Sequence, residues 1–440
     1  MRTLFVSLTA LSLLAAPDSS LAQGKVERPV LSLSGASFRP LPLAIASVIY
    51  AAPSANREAG QEVESTLDQD LGVSGLFDLL DRKSFLADPH EGVTLAEIKF
   101  SRWQDVGAEG LIKVAISGAD PVTLELHLYS AVLGREELRR RLSGPAAKAR
   151  RMAHQLADEI FNYYTREPGA FQTRLAFVRK VKGLKQIFVS DWDGRNESAV
   201  TKTSMNLLPA WAPKGNRLAF TSYQAGNPDL LLLDLSSNKA DVLFHRASAL
   251  ATGVCFGPDG KRVAFALSED DGNSQIWVAS ASGDHLKRLT EGFGINSSPS
   301  FSPDGEQIVF VSNRAGTPQL YIVPAQGGAP KRITFQGNYN QTPDWSSRGD
   351  LIAFTARDER NAFDIFTVDP GSGKVTRLTQ GQGNNEEPSF SPNGRLIAFT
   401  STRTGKRQLY VMSADGNSQR QMTFGDEVFT PAWGPFPANP

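Results

Sequence analysis

The sequence predicts a two-part protein, a small α/β domain followed by an all-β propeller of six blades. Three observations carry this expectation. A motif returns with a period near 45 residues. Each copy holds short stretches in which apolar and polar residues alternate. The two ends of the repeating region are incomplete, and each lacks what the other has.

Aligned on their aromatic residue, the copies read PAWAPKGNRLAF from Pro209, VCFGPDGKRVAF from Val254, PSFSPDGEQIVF from Pro299, PDWSSRGDLIAF from Pro343 and PSFSPNGRLIAF from Pro388. The starts lie 45, 45, 44 and 45 residues apart. Such a period, with four short strands per unit, is the signature of a β-propeller. Pro-Asp-Gly or Pro-Asn-Gly after a short apolar run makes a hairpin turn, where Gly takes positive φ without a Cβ clash. Leu218 and Phe220 then alternate with Ala219 and Thr221, the period of a strand. A third strand follows in PDLLLLDL, SQIWVAS, PQLYIV, FDIFTV and RQLYVM. A fourth ends the unit in LKRLT, PKRIT, VTRLT and QRQMT, whose Lys and Arg blunt an outer sheet edge.

The turn residue is Asp259 or Asp304 in two copies but Lys214, Arg348 and Asn393 in others. A general acid or metal ligand does not survive exchange for Lys, so the motif is architecture. Trp211, Phe256, Phe301, Trp345, Phe390 and Trp433 are expected to pack blade against blade. TRLAFVRK from Thr173 begins at a second strand, and TPAWGPF from Thr430 is a first strand with nothing after it. Joined, they complete one blade, with Pro431 to Phe436 expected against Arg174 to Arg179. Six second strands then end at Phe177, Phe220, Phe265, Phe310, Phe354 and Phe399, and the propeller spans 173–436.

Residues 23–165 are expected to form the α/β domain. Val63, Leu67 and Leu71 recur at helical spacing before a turn at Gly75. GLIKVAIS and TLELHLYS alternate as strands. Met152, Leu156 and Ile160 mark a second helix, with Ser143 as its expected cap and Pro145 near its first turn. Arg139, Arg140 and Arg141 follow Glu136 and Glu137 and read as the solvated face of a strand.

Composition narrows the function. Lys plus Arg and Asp plus Glu are both 46 of 440 residues, without the basic excess of a nucleic-acid binder. Met1-Arg2, the apolar run from Leu4 to Ala16, the break at Pro17 and the small residues to Ala22 form a signal peptide, 1–22. The run is too short to span a bilayer. Export is expected, with Gln23 as the first mature residue. Cys255 is the only cysteine, so no internal disulfide is expected, and it occupies the slot of Ala210, Ser300, Ser389 and Ala432. There is no Gly-x-Ser-x-Gly elbow, phosphate loop or His-Glu-x-x-His, and the five His are scattered. SDWDG from Ser190 is a calcium-loop fragment short of ligands and reads as a turn.

First strands line a propeller's channel, so residues just before each repeated Pro lie near its mouth. They are Asn206-Leu207-Leu208, Thr252-Gly253, Asn296-Ser297-Ser298, Asn340-Gln341-Thr342, Asn385-Glu386-Glu387 and Phe429-Thr430. Their mixed polar character makes a ring able to grip a peptide or an ion.

With these parts in this order, the chain resembles the TolB family of the Tol-Pal system. GLFDLLDR at Gly75, RLAFVRK followed by VSDWDG, PAWAPKGNRLAF and the C-terminal PAWGPF carry the likeness. The resemblance implies a periplasmic, non-enzymatic, monomeric protein that supports outer-membrane integrity and cell division. It would sit at the outer membrane through its partners. It implies that the lipoprotein Pal docks across the mouth, at Gly253, Asn296, Ser297, Ser298, Asn340, Gln341, Thr342, Asn385, Glu386, Glu387, Phe429 and Thr430. Val254 replaces the repeat's Pro beside Gly253. It implies that the mature N-terminal segment, with Gln23, Val26, Val30, Leu31 and Leu33, engages TolA. No cofactor is required, and calcium in the channel is the ion the resemblance admits. The competing readings are the propeller gate of an exported peptidase, which needs a hydrolase nucleophile motif that the chain lacks, and a propeller that binds a sugar or ion by itself.

Overall fold

The computed structural model describes residues 39–438 except 270, 271, 293 and 358. The expected signal peptide, 1–22, and Gln23, Val26, Val30, Leu31 and Leu33 lie outside the described residues.

The first domain is one mixed sheet with two long helices on one face and a short one on the other. Its elements are β1 (Leu41–Ile45), β2 (Ile49–Tyr50), α1 (Arg57–Val73), β3 (Phe77–Leu79), α2 (Phe100–Asp105), β4 (Gly110–Ser117), β5 (Val122–Ser130), β6 (Arg135–Gly144) and α3 (Ala149–Thr165). The strand order is β3-β1-β4-β5-β6, with β2 also on β4. β1 runs parallel to β3 and β4, and β4, β5 and β6 are antiparallel. Alternation sends Leu43 and Ile112 to one side, with Val63, Leu67 and Leu71 of α1 and Leu156 and Ile160 of α3. Ala44 and Leu111 go to the other side, with Trp103 of α2 and Tyr129.

Asn56 caps α1 by accepting the Ala59 N–H at 2.9 Å, and the chain leaves the helix through Gly75 at φ 72°. Ser143 does not cap α3. It lies in β6, where its hydroxyl meets Thr123 and the Val122 carbonyl, because the strand runs on to Gly144. The arginines of β6 are solvated at an edge as expected, with Arg139 paired to Glu125 and Arg140 to Glu159.

The rest is six four-stranded antiparallel sheets. Blades 1 to 5 begin with first strands Asn206–Trp211, Leu250–Phe256, Asn296–Phe301, Asn340–Trp345 and Asn385–Phe390. Blade 6 joins Val428–Trp433 to Arg174–Val181, Leu184–Asp191 and Ser198–Ala199. The ring therefore closes with strands from both ends of the repeat. The closing strand begins three residues earlier than expected. Val428 faces Arg179 and Trp433 faces Leu175, so the strand starts before Thr430, and Gly434 adds only an N–H to the Arg174 carbonyl.

The repeated aromatics hold blade to blade. Phe301 of blade 3 packs with Ala264 and Ile276 of blade 2 and with Phe310 of its own blade. Trp211 of blade 1 packs with Ala176 and Val178 of blade 6. In three copies the slot before the aromatic adds a polar clasp. Ser300 Oγ accepts the Trp345 N–H at 3.1 Å, Asp344 Oδ2 that of Phe390 at 2.7 Å, and Ser389 Oγ that of Trp433 at 3.0 Å. Cys255 stands in the same slot, and burial pushes its thiol up to about 12, so it stays protonated.

Candidate functional site: the mouth of the propeller

Each first strand starts at one ring face and ends at a Gly-bearing turn on the other. The turn face meets the α/β domain and its linker. Glu167 binds Arg348 at 2.7 Å and Arg395 at 2.7 and 2.8 Å, and Asn393 donates to the Pro168 carbonyl at 3.0 Å. Glu62 of α1 meets Arg195 of blade 6 at 2.8 Å. The starts of the first strands, where the expected site residues lie, therefore open on the opposite face.

There the backbone repeats a feature that side-chain reading missed. Leu208, Gly253, Ser298, Thr342, Glu387 and Thr430 have φ of 53°, 65°, 51°, 47°, 60° and 45°. In every blade the ladder slips beside this residue, as between Ser297 and Ser300 or between Glu386 and Ser389. This is a β-bulge at the channel mouth. A left-handed residue with a Cβ costs roughly 1–2 kcal/mol, and five of the six have one. Gly253 was the sequence signal. It is the glycine among the six, and the blade that has it lacks the repeat's Pro.

The structure divides the expected residues into two sets. Asn296, Asn340 and Asn385 are not rim groups, which corrects the expectation. Each is 0–1% exposed. Asn296 Nδ2 donates to Gln275 Oε1 at 3.0 Å, which also accepts from Thr290 at 2.7 Å. Asn340 uses Gln319 and Thr334 in the same way, and Asn385 uses Asp364 and Thr379. Asn206 repeats it with Gln186 and Thr201. A Thr ending one blade, an acceptor on its third strand and the next blade's Asn form one buried junction. Its recurrence was visible in the sequence as Asn at the same offset in four copies.

Ser297, Ser298, Gln341, Thr342, Glu386, Glu387, Phe429 and Thr430 are half-buried at the mouth, and so is Gly253. Thr342 Oγ1 lies 2.8 Å from Thr355 Oγ1. Gly253 N–H donates to Thr221 at 3.3 Å and Glu387 N–H to Thr355 at 2.9 Å, each across a blade boundary. The two glutamates are not bare charges. Glu386 pairs with Arg407 at 2.6 Å. Glu387 Oε2 accepts the Thr430 N–H at 2.7 Å and the Thr400 hydroxyl at 3.1 Å, and lies 3.8 Å from Arg407. Burial pushes the Glu387 carboxyl up, more than the Thr430 N–H and Arg407 bring it down. The rim is apolar on the other side, at Leu207, Leu208 and Phe429. The Phe429 ring sits 4.3 Å from Lys185 Nζ and 5.4 Å from the Arg407 guanidinium carbon.

Two residues were missed. Phe335 and Phe424 are 73% and 71% exposed, in the connections from fourth to first strands on this same face. ITFQG and MTFGD place an aromatic where another copy of this connection has Gln380, a break in the repeat that signals an exposed side chain, and the Arg332 guanidinium lies 5.1 Å from the Phe335 ring.

A ring of six bulged strands, capped on one face by an α/β domain and open on the other, defines a two-domain propeller built to present its channel mouth. The family model described as the TolB beta propeller domain matches residues 161–437, and that of the TolB amino-terminal domain matches 29–136. A Tol-Pal system protein TolB of Myxococcus xanthus is 48% identical over 444 residues, covering 99% of each chain. One of Anaeromyxobacter dehalogenans is 47% identical over 435 residues, covering 98% of each. The crystal structure of TolB from Acinetobacter baumannii superposes with a TM-score of 0.79 at 27% identity, covering 90% of this chain and 97% of that one. The chain belongs to the TolB family and is a component of the Tol-Pal system. Among the described residues no helix is long and apolar enough to cross a membrane.

Proposed function

We propose that this protein is a non-catalytic periplasmic adaptor that binds the lipoprotein Pal at the propeller mouth and TolA through its N-terminal segment. In that role it supports outer-membrane integrity and cell division. The observation that carries the reading is the open mouth. The α/β domain and its linker sit on the turn face, against blades 4 to 6, and leave Ser297, Ser298, Gln341, Thr342, Glu386 and Glu387 on the opposite face, available to a protein partner. Phe335 and Phe424 beside that rim supply the exposed aromatic anchors that protein interfaces favour. Pal meets a rim whose acids are already engaged, so its best contacts are amide and hydroxyl groups on the Ser-Gln-Thr arc and apolar groups near Phe429.

Calorimetry of the mature protein against purified Pal tests this. An Arg at Ser297 blocks the arc sterically and should weaken binding at least about tenfold, the cost of losing one central contact. Replacing Glu386 and Glu387 by Gln should weaken it less. Parent-like affinity in both variants would move the docking site off the mouth. Removing residues 23–34 should abolish TolA binding and leave Pal binding at the mouth measurable.

A further inference from the structure

We propose that His154, Asp191 and Asp193 form a zinc site that ties the α/β domain to blade 6. The residues come from both halves of the molecule, His154 from α3 and the two aspartates from the SDWDG turn. Their ligand atoms lie within 4.8 Å of one another. The inference stands on this interface alone and is independent of partner binding at the mouth.

The imidazole is already oriented as a ligand. His154 is 3% exposed, and its Nδ1 lies 2.7 Å from Asp70 Oδ2. A carboxylate behind the ring is the usual way a metal-binding histidine is held. The other nitrogen, Nε2, has no hydrogen-bond partner and lies 3.8 Å from Asp193 Oδ2. A buried ring nitrogen left without a partner calls for an explanation, and a cation between it and the carboxylates supplies one.

The donor set selects the metal. SDWDG alone resembled a calcium loop short of ligands. The ligand that completes it is a nitrogen from the other domain. Calcium and magnesium take oxygen ligands, whereas one imidazole and two carboxylates suit zinc, with a fourth position open. Zinc bonds of about 2.0–2.2 Å place tetrahedral ligands roughly 3.3–3.6 Å apart. The widest separation must therefore close by up to about 1.2–1.5 Å, within reach of a side-chain rotation at half-buried Asp191. The fourth position faces the cleft between the domains, about 1080 Å³, which His154 and Asp191 help to line.

One group competes. Arg150 pairs with Asp193 and, at 3.0 Å, with Glu62. It supplies positive charge to Asp193 when no metal is bound. Zinc displaces it from Asp193 and leaves it on Glu62, which already holds Arg195 at 2.8 Å. Arg150 therefore sets the affinity of the site.

The test is equilibrium dialysis of the tag-free mature protein, stripped with chelator, against zinc chloride, with a calcium chloride arm. Metal per chain is counted by mass spectrometry, and thermal melts are recorded beside it. One saturable zinc per chain, with a raised Tm, is expected, and calcium should not compete for it. Asp191→Asn and His154→Gln should each weaken zinc at least about tenfold. Arg150→Gln should tighten it. Asp191 is partly exposed, so D191N folds and decides the matter if H154Q does not. No saturable zinc, or equal affinity in folded D191N, overturns the site. A folded R150Q that binds no tighter overturns the competition.

Discussion

Removing one charge from the channel wall should make the propeller more stable at neutral pH and leave it unchanged in acid. Asp344 fills the slot that is Ser in both neighbouring copies, Ser300 and Ser389. Its Oδ2 accepts the Phe390 N–H at 2.7 Å, and Ser300 donates to Oδ1 at 3.4 Å. Among the described residues it makes no ion pair. Burial pushes its carboxyl from 3.8 up to about 6, against the pull of the Phe390 N–H and the hydroxyls of Ser300 and Ser389. The folded protein thus holds this proton more tightly than the unfolded chain does. Stability from this group is therefore complete below pH 4, falls as the pH rises to about 6 and is level above that. The gap between 3.8 and about 6 corresponds to roughly 3 kcal/mol, which water reaching the half-buried channel wall reduces to about 2. Asp344→Asn keeps an oxygen for the Phe390 N–H and turns an amide towards hydroxyls that can accept. Urea titrations followed by tryptophan fluorescence at pH 4.5 to 7.5 should show the variant gaining up to about 2 kcal/mol by pH 7. A difference that does not change with pH, or a variant that loses more than about 1 kcal/mol at pH 7, would refute the reasoning.

Asn340→Ala removes the amide that donates to Gln319 Oε1 at 2.8 Å and to the Gln336 carbonyl at 3.1 Å inside a blade junction and should cost about 1–3 kcal/mol, whereas Ser297→Ala at the rim should cost less than about 0.5; urea midpoints compare them directly. Deleting residues 428–440 removes Trp433, which is 7% exposed and donates from Nε1 to Thr173 at 2.8 Å. It opens the edge of blade 6 and should cost more than about 3 kcal/mol, read as a lowered Tm. Glu167→Ala frees Arg348 and Arg395 and should cost about 1 kcal/mol, with faster tryptic cleavage at Arg166. Burial raises the Glu167 carboxyl, but hydrogen bonds from Arg395 and Arg348 outweigh it and hold the carboxyl below its ordinary value. The clasp is thus present at neutral pH and is lost as the pH falls through that lowered value.

The architecture was legible because it is written as period and alternation. Six Phe at one position mark six second strands, all buried, and the two unfinished ends could only complete each other. The start of the closing strand was misplaced because the repeated Pro draws the boundary to itself. Val428 is an apolar residue where four other blades start with Asn, so the strand's true start looked like a loop. The cap expected at Ser143 failed for a related reason. A cap is a statement about where the preceding strand stops, and β6 continues past that residue.

At the mouth the residue types were legible and their states were not. Position before the Pro says that a side chain is near the channel, but it does not say which hydrogen bonds are already made. Asn296 and Ser297 are neighbours of equal polarity in sequence. One spends both amide hydrogens on the adjoining blade's third strand, and the other remains on the rim. The same holds for charge. Glu386 and Glu387 read as a pair of free acids, yet Arg407, further along the same blade, meets both. What distinguishes a junction from a docking surface is therefore the count of satisfied partners across a blade boundary. That count depends on the register between blades, which no single repeat carries. Where an engaged group recurs, as with the four Asn, it builds the ring. Where the copies diverge and hydrogen-bonding capacity remains, as along Ser297, Ser298 and Gln341, the ring has room for something other than itself.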